Sequence, residues 1–471
     1  MKAAVVAILL LDLSIAFAQP PDTVWTRTIY APHGSTEARA VYLTQDGGYA
    51  VAGMCCGHLP PFHHYWFYKA FVAKFTRAGD LSWSWEDLWH GDGGSLGAHD
   101  ILETPDGGFI IVGNDCFYGN DYDYSLWAAR LTADGDPLWE RVHEGYGGGR
   151  AVALAPDGGF LIAGVGDFSL SKLDSAGNLL WNRNWGISLE DITPLADDNY
   201  ICVGHSESGG PACLMVKVTT DGDTLWTRDC NTSFDELANA VTATADGGFA
   251  ICGSLQVLSY PRDMFMALKT ADGDHLMTRG YECYPCEAMD IRQANDGGFV
   301  LAGSVTFHGQ SGDSTCIGVL RTEPNLDQRW MKTWGGTGND GAYAVVQDSD
   351  SCYAVVGHWG SDSWYIAKLA AHPMEVDERD HAAAPNVFTL RSFPNPFNPA
   401  TTLSFTLPRP AHARLAVYDV LGREVRIVAD ESLTAGEHRA SFDGSDLPSG
   451  IYFARLQSGE FVTTQKLLLL K

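Results

Sequence analysis

The chain has 471 residues, with 31 Lys and Arg against 58 Asp and Glu and a formal net charge of −27 at pH 7. This length exceeds one ordinary hydrophobic core and predicts several domains or a repeat array. The acidic body argues against nucleic acid as a partner, because both would carry negative charge.

Residues 1–18 are predicted to be a secretory signal peptide. Lys2 precedes an apolar run, and the small-residue pattern AFA at residues 16–18 is typical of a cleavage site. Asp12 inside the run is atypical, and the alternative is a buried N-terminal helix. No later apolar run reaches the roughly 18–20 residues of a membrane-spanning helix, so we predict no transmembrane segment.

One sequence pattern recurs seven times between residues 22 and 371. The copies share an apolar run, an Asp-Gly turn, an alternating strand, a strand that ends near a cation and a strand with tryptophan. The copies at Asp197 and Asp350 lack the Asp-Gly pair, and the fifth has Met277 in place of tryptophan. The clearest copy is TQDGGYAVAG at residues 44–53, and the equivalent aspartates are Asp46, Asp106, Asp157, Asp197, Asp246, Asp296 and Asp350. Asp-Gly between apolar strands is typical of a two-residue type I′ turn. Four antiparallel strands repeated every fifty residues or so predict an all-β fold, a seven-bladed β-propeller.

The two ends of the repeat region predict ring closure. A tryptophan strand near Trp25 precedes the first copy, whereas the last copy ends at WYIAKLA without one. We therefore expect the Trp25 strand to complete the last blade. The strand-three cations are interpreted as structural partners of the turn aspartates, with a binding role as the alternative; they include Lys74, Arg130, Lys172 and Lys217.

The sequence pattern of the repeat resembles that of a repeat found in many exported bacterial proteins. The segment MKTWGGTGNDGAYAVVQ at residues 331–347 is the nearest to its opening half. The resemblance covers roughly residues 22–371 and implies a propeller. It implies no particular activity, because such folds carry many functions.

Residues 372–385 are predicted to be a linker, and residues 386–471 a small all-β sandwich. Three ordered motifs in this tail, PNPFNP, YDVLGR and SGIY, are followed by a lysine near the end. Their positions include Pro394, Asn395, Pro396, Tyr418, Gly422, Arg423, Gly450, Tyr452 and Lys466. The tail resembles the C-terminal sorting domain of type IX secretion substrates, which is similar to the flagellar hook-capping immunoglobulin-like domain.

That resemblance implies one partner, the outer-membrane secretion machinery. It also implies removal of the tail and either attachment to the cell surface or release. The alternative is an accessory immunoglobulin-like domain without a sorting role.

A ligand site is expected on one face of the propeller. In an antiparallel meander the Asp-Gly turns leave from one face, and the long connections, which differ between copies, leave from the other. The candidate ligand-binding residues lie in two such segments, 54–69 and 114–125; they are His58, His63, His64, Tyr65, Trp66, Tyr118, Asp121 and Asp123.

Several cysteines lie near these candidates. Cys55 and Cys56 with the three histidines are possible soft-metal ligands, but they fit no established zinc spacing, and a disulfide with Cys116 is the alternative. Cys202 and Cys252 lie mid-strand and are expected to be core thiols. Cys283 and Cys286 have the spacing of a redox motif, but a local disulfide or two separate bridges are favoured over redox chemistry. Eleven cysteines leave at least one unpaired or intermolecular.

No cofactor is predicted, although a weak Ca²⁺ contact near Asp121 and Asp123 remains open; single acidic turns lack the ligand count of a calcium loop. Signatures of hydrolases, zinc peptidases and nucleotide-binding loops are absent from the sequence. Three functions stay open: a non-catalytic propeller that binds a glycan or protein, a polysaccharide hydrolase or lyase, and a structural surface-layer component. Two acidic residues facing each other across the central opening would favour the hydrolase or lyase.

Overall fold

The computed structural model describes residues 23–30, 36–57, 67–87, 95–118, 122–206, 213–230, 235–256, 263–281, 286–309, 312–335, 339–360, 363–370, 389–393, 397–407, 411–419, 423–433, 436–458 and 461–469. These residues form strands and turns, which confirms the all-β prediction. Within them there is no helix of the length and apolar character that crossing a membrane requires. Backbone contacts divide the chain into two units, Met1–Met374 and Glu375–Lys471.

The first unit contains 28 strands within the described residues. In chain order they are β1 (Thr23–Tyr30), β2 (Thr36–Leu43), β3 (Tyr49–Gly57), β4 (Phe67–Phe75), β5 (Leu81–Glu86), β6 (Ser95–Glu103), β7 (Phe109–Tyr118), β8 (Tyr122–Leu131), β9 (Pro137–His143), β10 (Gly147–Leu154), β11 (Phe160–Gly166), β12 (Leu170–Leu173), β13 (Leu179–Arg183), β14 (Ile187–Pro194), β15 (Tyr200–Ser206), β16 (Leu214–Val218), β17 (Thr224–Asp229), β18 (Asp235–Ala243), β19 (Phe249–Gln256), β20 (Asp263–Lys269), β21 (His275–Tyr281), β22 (Cys286–Gln293), β23 (Phe299–Gly309), β24 (Gly312–Thr322), β25 (Gln328–Trp334), β26 (Gly341–Gln347), β27 (Tyr353–Trp359) and β28 (Ser363–Leu369).

These strands form seven four-stranded antiparallel sheets in a propeller-like arrangement. Sheet 1 is β2 to β5, and each following sheet takes the next four strands up to sheet 6, β22 to β25. Sheet 7 has the order β26, β27, β28 and β1. The first strands of neighbouring sheets pack side by side around a central channel, and β26 packs against β2.

The predicted ring closure is confirmed. Strand β1 pairs antiparallel with β28, with Thr28 opposite Tyr365 and Trp25 opposite Lys368. Ile29 is buried in a core cluster that sheets 7 and 1 share. The N-terminal strand thus supplies the outer edge of the last sheet, as the missing tryptophan strand predicted.

The prediction of a type I′ turn at Asp-Gly is wrong. The amide of Gly47 donates to the carbonyl of Thr44, and the amide of Thr44 donates to the carbonyl of Gly48. Only Gly47 has a positive φ, at 79°, so the loop is a type I turn followed by a left-handed residue. Asp46 instead accepts hydrogen bonds from the Gly48 amide and the Thr44 hydroxyl, which fixes the turn from inside.

Most cations of the third strands form ion pairs with the turn aspartates, as their interpretation as structural partners predicts. Lys74 Nζ lies 2.7 Å from Asp46 Oδ2, and equivalent pairs are Arg130–Asp106, Lys172–Asp157, Lys217–Asp197 and Arg321–Asp296. Sheets 5 and 7 depart from this rule. In sheet 7 the cation Lys368 pairs with Asp348 instead of Asp350, and in sheet 5 the lysine is shifted by one position along its strand. Lys269 pairs with Phe249 in the sheet and its Nζ donates to the carbonyl of Cys230.

Five outer tryptophans contact a turn of the following sheet: Trp25, Trp83, Trp139, Trp181 and Trp226. Trp139 Nε1 donates to the carbonyl of Ser175 at 3.1 Å. A Cβ added at Gly177 would lie 2.7 Å from the ring of Trp139. Glycine is therefore required here both for φ and for the approach of the ring.

We expect Gly177→Ala to lower the free energy of unfolding by about 1–3 kcal/mol more than Gly158→Ala. Both glycines lie in sheet 3 with φ of +82°, but a Cβ at Gly158 meets nothing within 4 Å. The pair therefore separates the ring clash from the backbone penalty. Urea unfolding followed by tryptophan fluorescence checks it, since all 14 tryptophans lie at or before Trp364; equal losses would refute the contact.

The second unit contains two sheets around one core. Its strands are β29 (Thr389–Phe393), β30 (Ala400–Leu407), β31 (Ala411–Asp419), β32 (Glu424–Leu433), β33 (Gly436–Asp443), β34 (Gly450–Ser458) and β35 (Phe461–Leu469). One sheet has the order β29-β30-β33 and the other β32-β31-β34-β35. Leu403, Leu415 and Leu456 are among the side chains fully buried between them.

The cysteines are used in two ways. Cys202 and Cys252 are buried thiols without a disulfide, as predicted. Cys213 and Cys230 form a disulfide across the end of sheet 4, and Cys286 is also disulfide-bonded.

Candidate functional site

The long connections and the short turns leave opposite faces of the sheets. The turns between first and second strands, such as residues 44–48, lie on one face, here called the turn face. Connections from the second to the third strand leave from the other face, here called the connection face. The sheets therefore present a regular turn face and a variable connection face.

A β-bulge interrupts the first strand of every sheet at the same point. The register shifts there in all seven pairings. The bulged residues are Arg39, His99, Arg150, Glu190, Asn239, Met289 and Tyr343. Contacts between neighbouring sheets, such as Arg39 with His99 and Asn239 with Met289, show that these side chains face the central channel.

His99 is held between two arginines and an amide. Its Nδ1 is 2.8 Å from Arg39 Nη1 and 3.3 Å from Arg150 Nη1, and its Nε2 contacts Asn114 Oδ1. Guanidinium groups only donate hydrogen bonds, so Nδ1 is the acceptor and Nε2–H the donor. Burial and the two neighbouring positive charges lower the pKa of His99 well below its ordinary value, and the ring is neutral.

Two glutamates lie beside these cations. Arg39 donates to Glu37 Oε2 from Nε and Nη2 at 3.0 and 2.8 Å. Glu190 lies 3.7 Å from both Arg150 Nε and His205 Nδ1. The site thus presents hydrogen-bond donors and acceptors side by side.

A cavity of about 900 Å³ opens at this end of the channel. Besides the charged groups, its wall includes three aromatic side chains, Tyr68, Tyr124 and Tyr146. Tyr124 is 41 % and Tyr146 63 % exposed. Because Tyr68 and Tyr124 lie near connections from second to third strands, the cavity opens on the connection face.

A glycine run shapes one wall of the cavity. Residues 147–149 are all glycine and begin β10. A Cβ at Gly148 would lie 2.6 Å from the Cβ of Asn114, a distance that side chains do not tolerate. The absence of a side chain lets β10 approach the asparagine that orients His99.

Three aspartates lie deeper in the channel, one residue after the bulge in alternate sheets; they are Asp100, Asp191 and Asp290. Asp191 accepts hydrogen bonds from its neighbour Ile192 and from Val241 in the next sheet, and the other two make the same bridge. Arg292 Nη1 lies 2.8 Å from Asp290 Oδ1. These carboxylates link sheets in pairs.

Burial raises the pKa of Asp191 to about 7, against opposing effects of Arg292 and the Val241 amide. A carboxyl whose pKa is raised on folding stabilises the fold at low pH, and this contribution is lost as pH rises through 7. Between pH 5 and pH 8 we therefore expect the parent to lose about 2–3 kcal/mol of unfolding free energy relative to Asp191→Asn, which has no carboxyl to titrate.

The comparison uses a difference because buried histidines such as His99 change stability in the opposite direction over this range. Asp157→Asn is the control: its pKa is lowered by the Gly159 amide and Lys172, so its titration lies below this window. Urea unfolding at several pH values measures both variants. A constant difference for Asp191→Asn would contradict the raised pKa.

Most candidate ligand residues lie outside the described residues. These are His58, His63, His64, Tyr65, Trp66 and Asp121. For Tyr118 and Asp123 the structure describes the backbone, at the end of β7 and the start of β8. The bases of both segments nevertheless line the cavity, through Met54 and Tyr68 for one and Asn114 and Tyr124 for the other.

The sequence reasoning missed the bulged residues. In the sequence each one stands directly before an alanine or aspartate of the first strand. It is the R of ARAV and GRAV, the H of HDIL and the E of EDIT. The residue that follows is Ala or Asp in every copy, whereas this position changes between Arg, His, Glu, Asn, Met and Tyr. Variation at one inward position of an otherwise repeated strand is typical of a binding site rather than of a purely structural position.

The described part of the chain contains one group with three potential metal-ligand atoms within 4.8 Å: Cys213, Cys230 and Glu236. The two cysteines are joined in a disulfide, and disulfide sulfurs are poor ligands compared with thiolates. The group therefore does not offer the donor set of a metal centre.

The described tail motif residues stabilise turns. Arg423 pairs with Asp419 at 2.7 Å, Tyr418 donates to Glu424, and Tyr452 donates to the carbonyl of Pro448. Gly450 begins β34 and Lys466 lies in β35. Pro394, Asn395, Pro396 and Gly422 lie outside the described residues.

The described residues of the first unit define an all-β protein with a propeller-like body. Residues 391–470 match the family described as the secretion system C-terminal sorting domain. A tail of this family is a sorting signal of the type IX secretion system, which indicates export to the cell surface and an interaction with that secretion machinery. No curated protein matches the sequence.

The chain is also similar to solved structures at low sequence identity. The chain is similar to virginiamycin B lyase of Staphylococcus aureus, with a TM-score of 0.49 and 10 % identity over 73 % of this chain and 99 % of that chain. It is also similar to PorZ, a surface component of the type IX secretion system of Porphyromonas gingivalis, with a TM-score of 0.41 and 12 % identity over 97 % of this chain and 61 % of that one. Likeness at this level transfers neither activity nor ligand.

Proposed function

We propose that this chain is an exported, non-catalytic binding propeller whose ligand site is the cavity at the channel mouth. The ligand is an extracellular glycan or protein. The observation that carries the proposal is one cavity of about 900 Å³ that combines three charged side chains and the neutral His99 ring, on four consecutive bulges, with exposed tyrosines. A volume of this size suits a small ligand or the end of a polymer.

A polysaccharide hydrolase or lyase is the second candidate. Glu37 and Glu190 reach the same cavity from sheets 1 and 4, and the neutral ring of His99 lies beside them. A carboxylate pair and a neutral imidazole are groups that acid–base catalysis uses. Here Glu37 is hydrogen-bonded to Arg39, and Glu190 lies close to two basic groups, which favours binding over proton transfer.

A screen of glycans and extracellular proteins against the full chain tests the proposal, with released reducing ends and unsaturated products assayed in parallel. We expect binding without product, weakened roughly tenfold by Tyr146→Ala because its exposed ring lines the cavity. Leu180→Ala, an equally exposed side chain on outer strand β13, is the control. Product formation would support the enzyme, and silence in both assays would favour a structural surface-layer component.

A further inference from the structure

We infer that the cavity selects a sugar bearing a single carboxylate, such as a terminal uronic acid, with Arg150 as the group that binds the carboxylate. The inference rests on the proposed function, since it names the ligand class of the same cavity. Three features of the wall support it: unused donors, available acceptors and exposed rings.

The donors lie on Arg150. Its only side-chain hydrogen bond among the described residues goes from Nη1 to Nδ1 of His99 at 3.3 Å. The carboxylate of Glu190 lies 3.7 Å from Nε, and Nε is buried without a hydrogen-bond partner among the described residues. Nε is out of a ligand's reach because it is buried, but the two Nη atoms carry four N–H groups, of which one bonds to His99. The side chain is 37 % exposed and lines the cavity, so Arg150 keeps Nη donors for a planar anion that can accept two hydrogen bonds.

Arg39 differs from Arg150 in this respect. It donates to Glu37 through Nε and Nη2 and to His99 through Nη1. His99 cannot donate to a ligand through Nδ1, because this atom accepts from both arginines. The geometry therefore singles out Arg150 as the cation available to a ligand.

The acceptors and rings fit the rest of a sugar. Glu37 and Glu190 can accept hydrogen bonds from hydroxyl groups, which a peptide carboxyl terminus lacks. Tyr124 and Tyr146 expose ring surface to the cavity, and such rings pack on the apolar face of a sugar. A donor site for one carboxylate beside acceptors for hydroxyls thus matches an acidic sugar better than a neutral glycan.

The net charge limits the number of anionic groups. With a formal charge of −27, the protein repels polyanions at long range. One carboxylate is neutralised locally by Arg150, whereas a chain of acidic residues extending from the cavity would meet the acidic surface. We therefore expect a terminal acidic residue rather than a polyuronate.

Calorimetric titration of the full chain tests this inference with a disaccharide that ends in glucuronic acid. Its carboxyl methyl ester, its glucose-terminated equivalent, a sulfated equivalent and a tripeptide with a free carboxyl terminus are compared. We expect the acid to bind about ten- to hundredfold more tightly than the ester, because a charge-assisted pair is lost. This comparison needs no variant.

Arg150→Gln should lose the preference for the acid, and Arg279→Gln, an exposed arginine paired with Asp327 on outer strand β21, should keep it. Equal binding of acid and ester, an acid preference that survives Arg150→Gln, or a preference for the sulfate or peptide would each overturn the inference while leaving a binding cavity in place. Failure of every glycan and protein in the earlier screen would instead overturn the proposed function itself.

Discussion

A chain that lacks residues 23–30 is expected to lose at least about 5 kcal/mol of the propeller's unfolding free energy. The deletion removes the outer strand of sheet 7 and with it Ile29, which is buried where sheets 7 and 1 meet. It also removes Trp25, whose ring contacts Tyr49 at 5.8 Å between centroids and whose Nε1 donates to the carbonyl of Arg77 in sheet 1.

Tryptophan fluorescence during urea unfolding measures this loss in the first unit alone. The control begins at Thr23 and lacks only the residues before β1. The deletion also exposes the edge of β28, and an unpaired edge promotes association, so we expect the shortened protein to elute as larger species. Unchanged stability and a monomeric elution would show that β1 does not close the ring.

Asp348→Asn is expected to cost about 3–5 kcal/mol, the range for breaking a buried ion pair. Lys368 Nζ lies 2.5 Å from Asp348 Oδ2, and the side chains are 5 % and 1 % exposed. Tyr49, from sheet 1, donates to the same oxygen at 2.9 Å. The substitution replaces this oxygen with an amide that faces two donors across the closing seam of the ring.

Asp46→Asn is the matched control. Its partner Lys74 is also largely buried, but the Asp46 side chain is 60 % exposed, so we expect a cost of about 1 kcal/mol or less. Both asparagines keep the oxygen that accepts backbone amides in the turn, as Asp348 Oδ1 does from Asp350 and Cys352. Equal costs for the two variants would contradict the role assigned to burial.

The Asp348 effect also depends on pH. Burial acts to raise its pKa, but hydrogen bonds from Lys368 and Tyr49 outweigh burial and lower it. A carboxyl with a lowered pKa stabilises the fold above its unfolded value, near 3.9, and this contribution is lost as pH falls further. The difference between the parent and Asp348→Asn should therefore shrink below about pH 4.

The sequence was sufficient to predict the four-stranded sheets because their pattern is repeated seven times. Asp-Gly turns, alternating strands and outer tryptophans recur often enough to predict sheets, and the lone Trp25 strand predicted closure. The predicted turn type was wrong, because a type I′ turn needs positive φ at two residues and only Gly47 has it here. Asp46 is held instead by a hydrogen bond from the Thr44 hydroxyl, which the Asp-Gly pair alone does not predict. The sequence also did not predict that Lys269 lies opposite Phe249. A shift of one residue along a strand moves a side chain to the other face of the sheet.

The candidate site was harder to predict because it forms between sheets. Arg39, His99 and Arg150 lie about fifty residues apart in sequence and meet only when three inner strands pack around the channel. No local motif marks them, and a bulge that turns them inward has no strong sequence signal. The residue types of segments 54–69 and 114–125 mark them as long connections. They do not predict the cavity that the ends of these segments line.

Hydrogen–deuterium exchange of the full chain, with and without a saturating glucuronate-terminated disaccharide, tests the central claim most directly. The claim is that ligand occupies the channel mouth on the connection face. We predict slower exchange in residues 146–150, which line the cavity, and no change in turn-face segments such as residues 44–48. Slower exchange confined to the turn face or to residues 391–470 would contradict it.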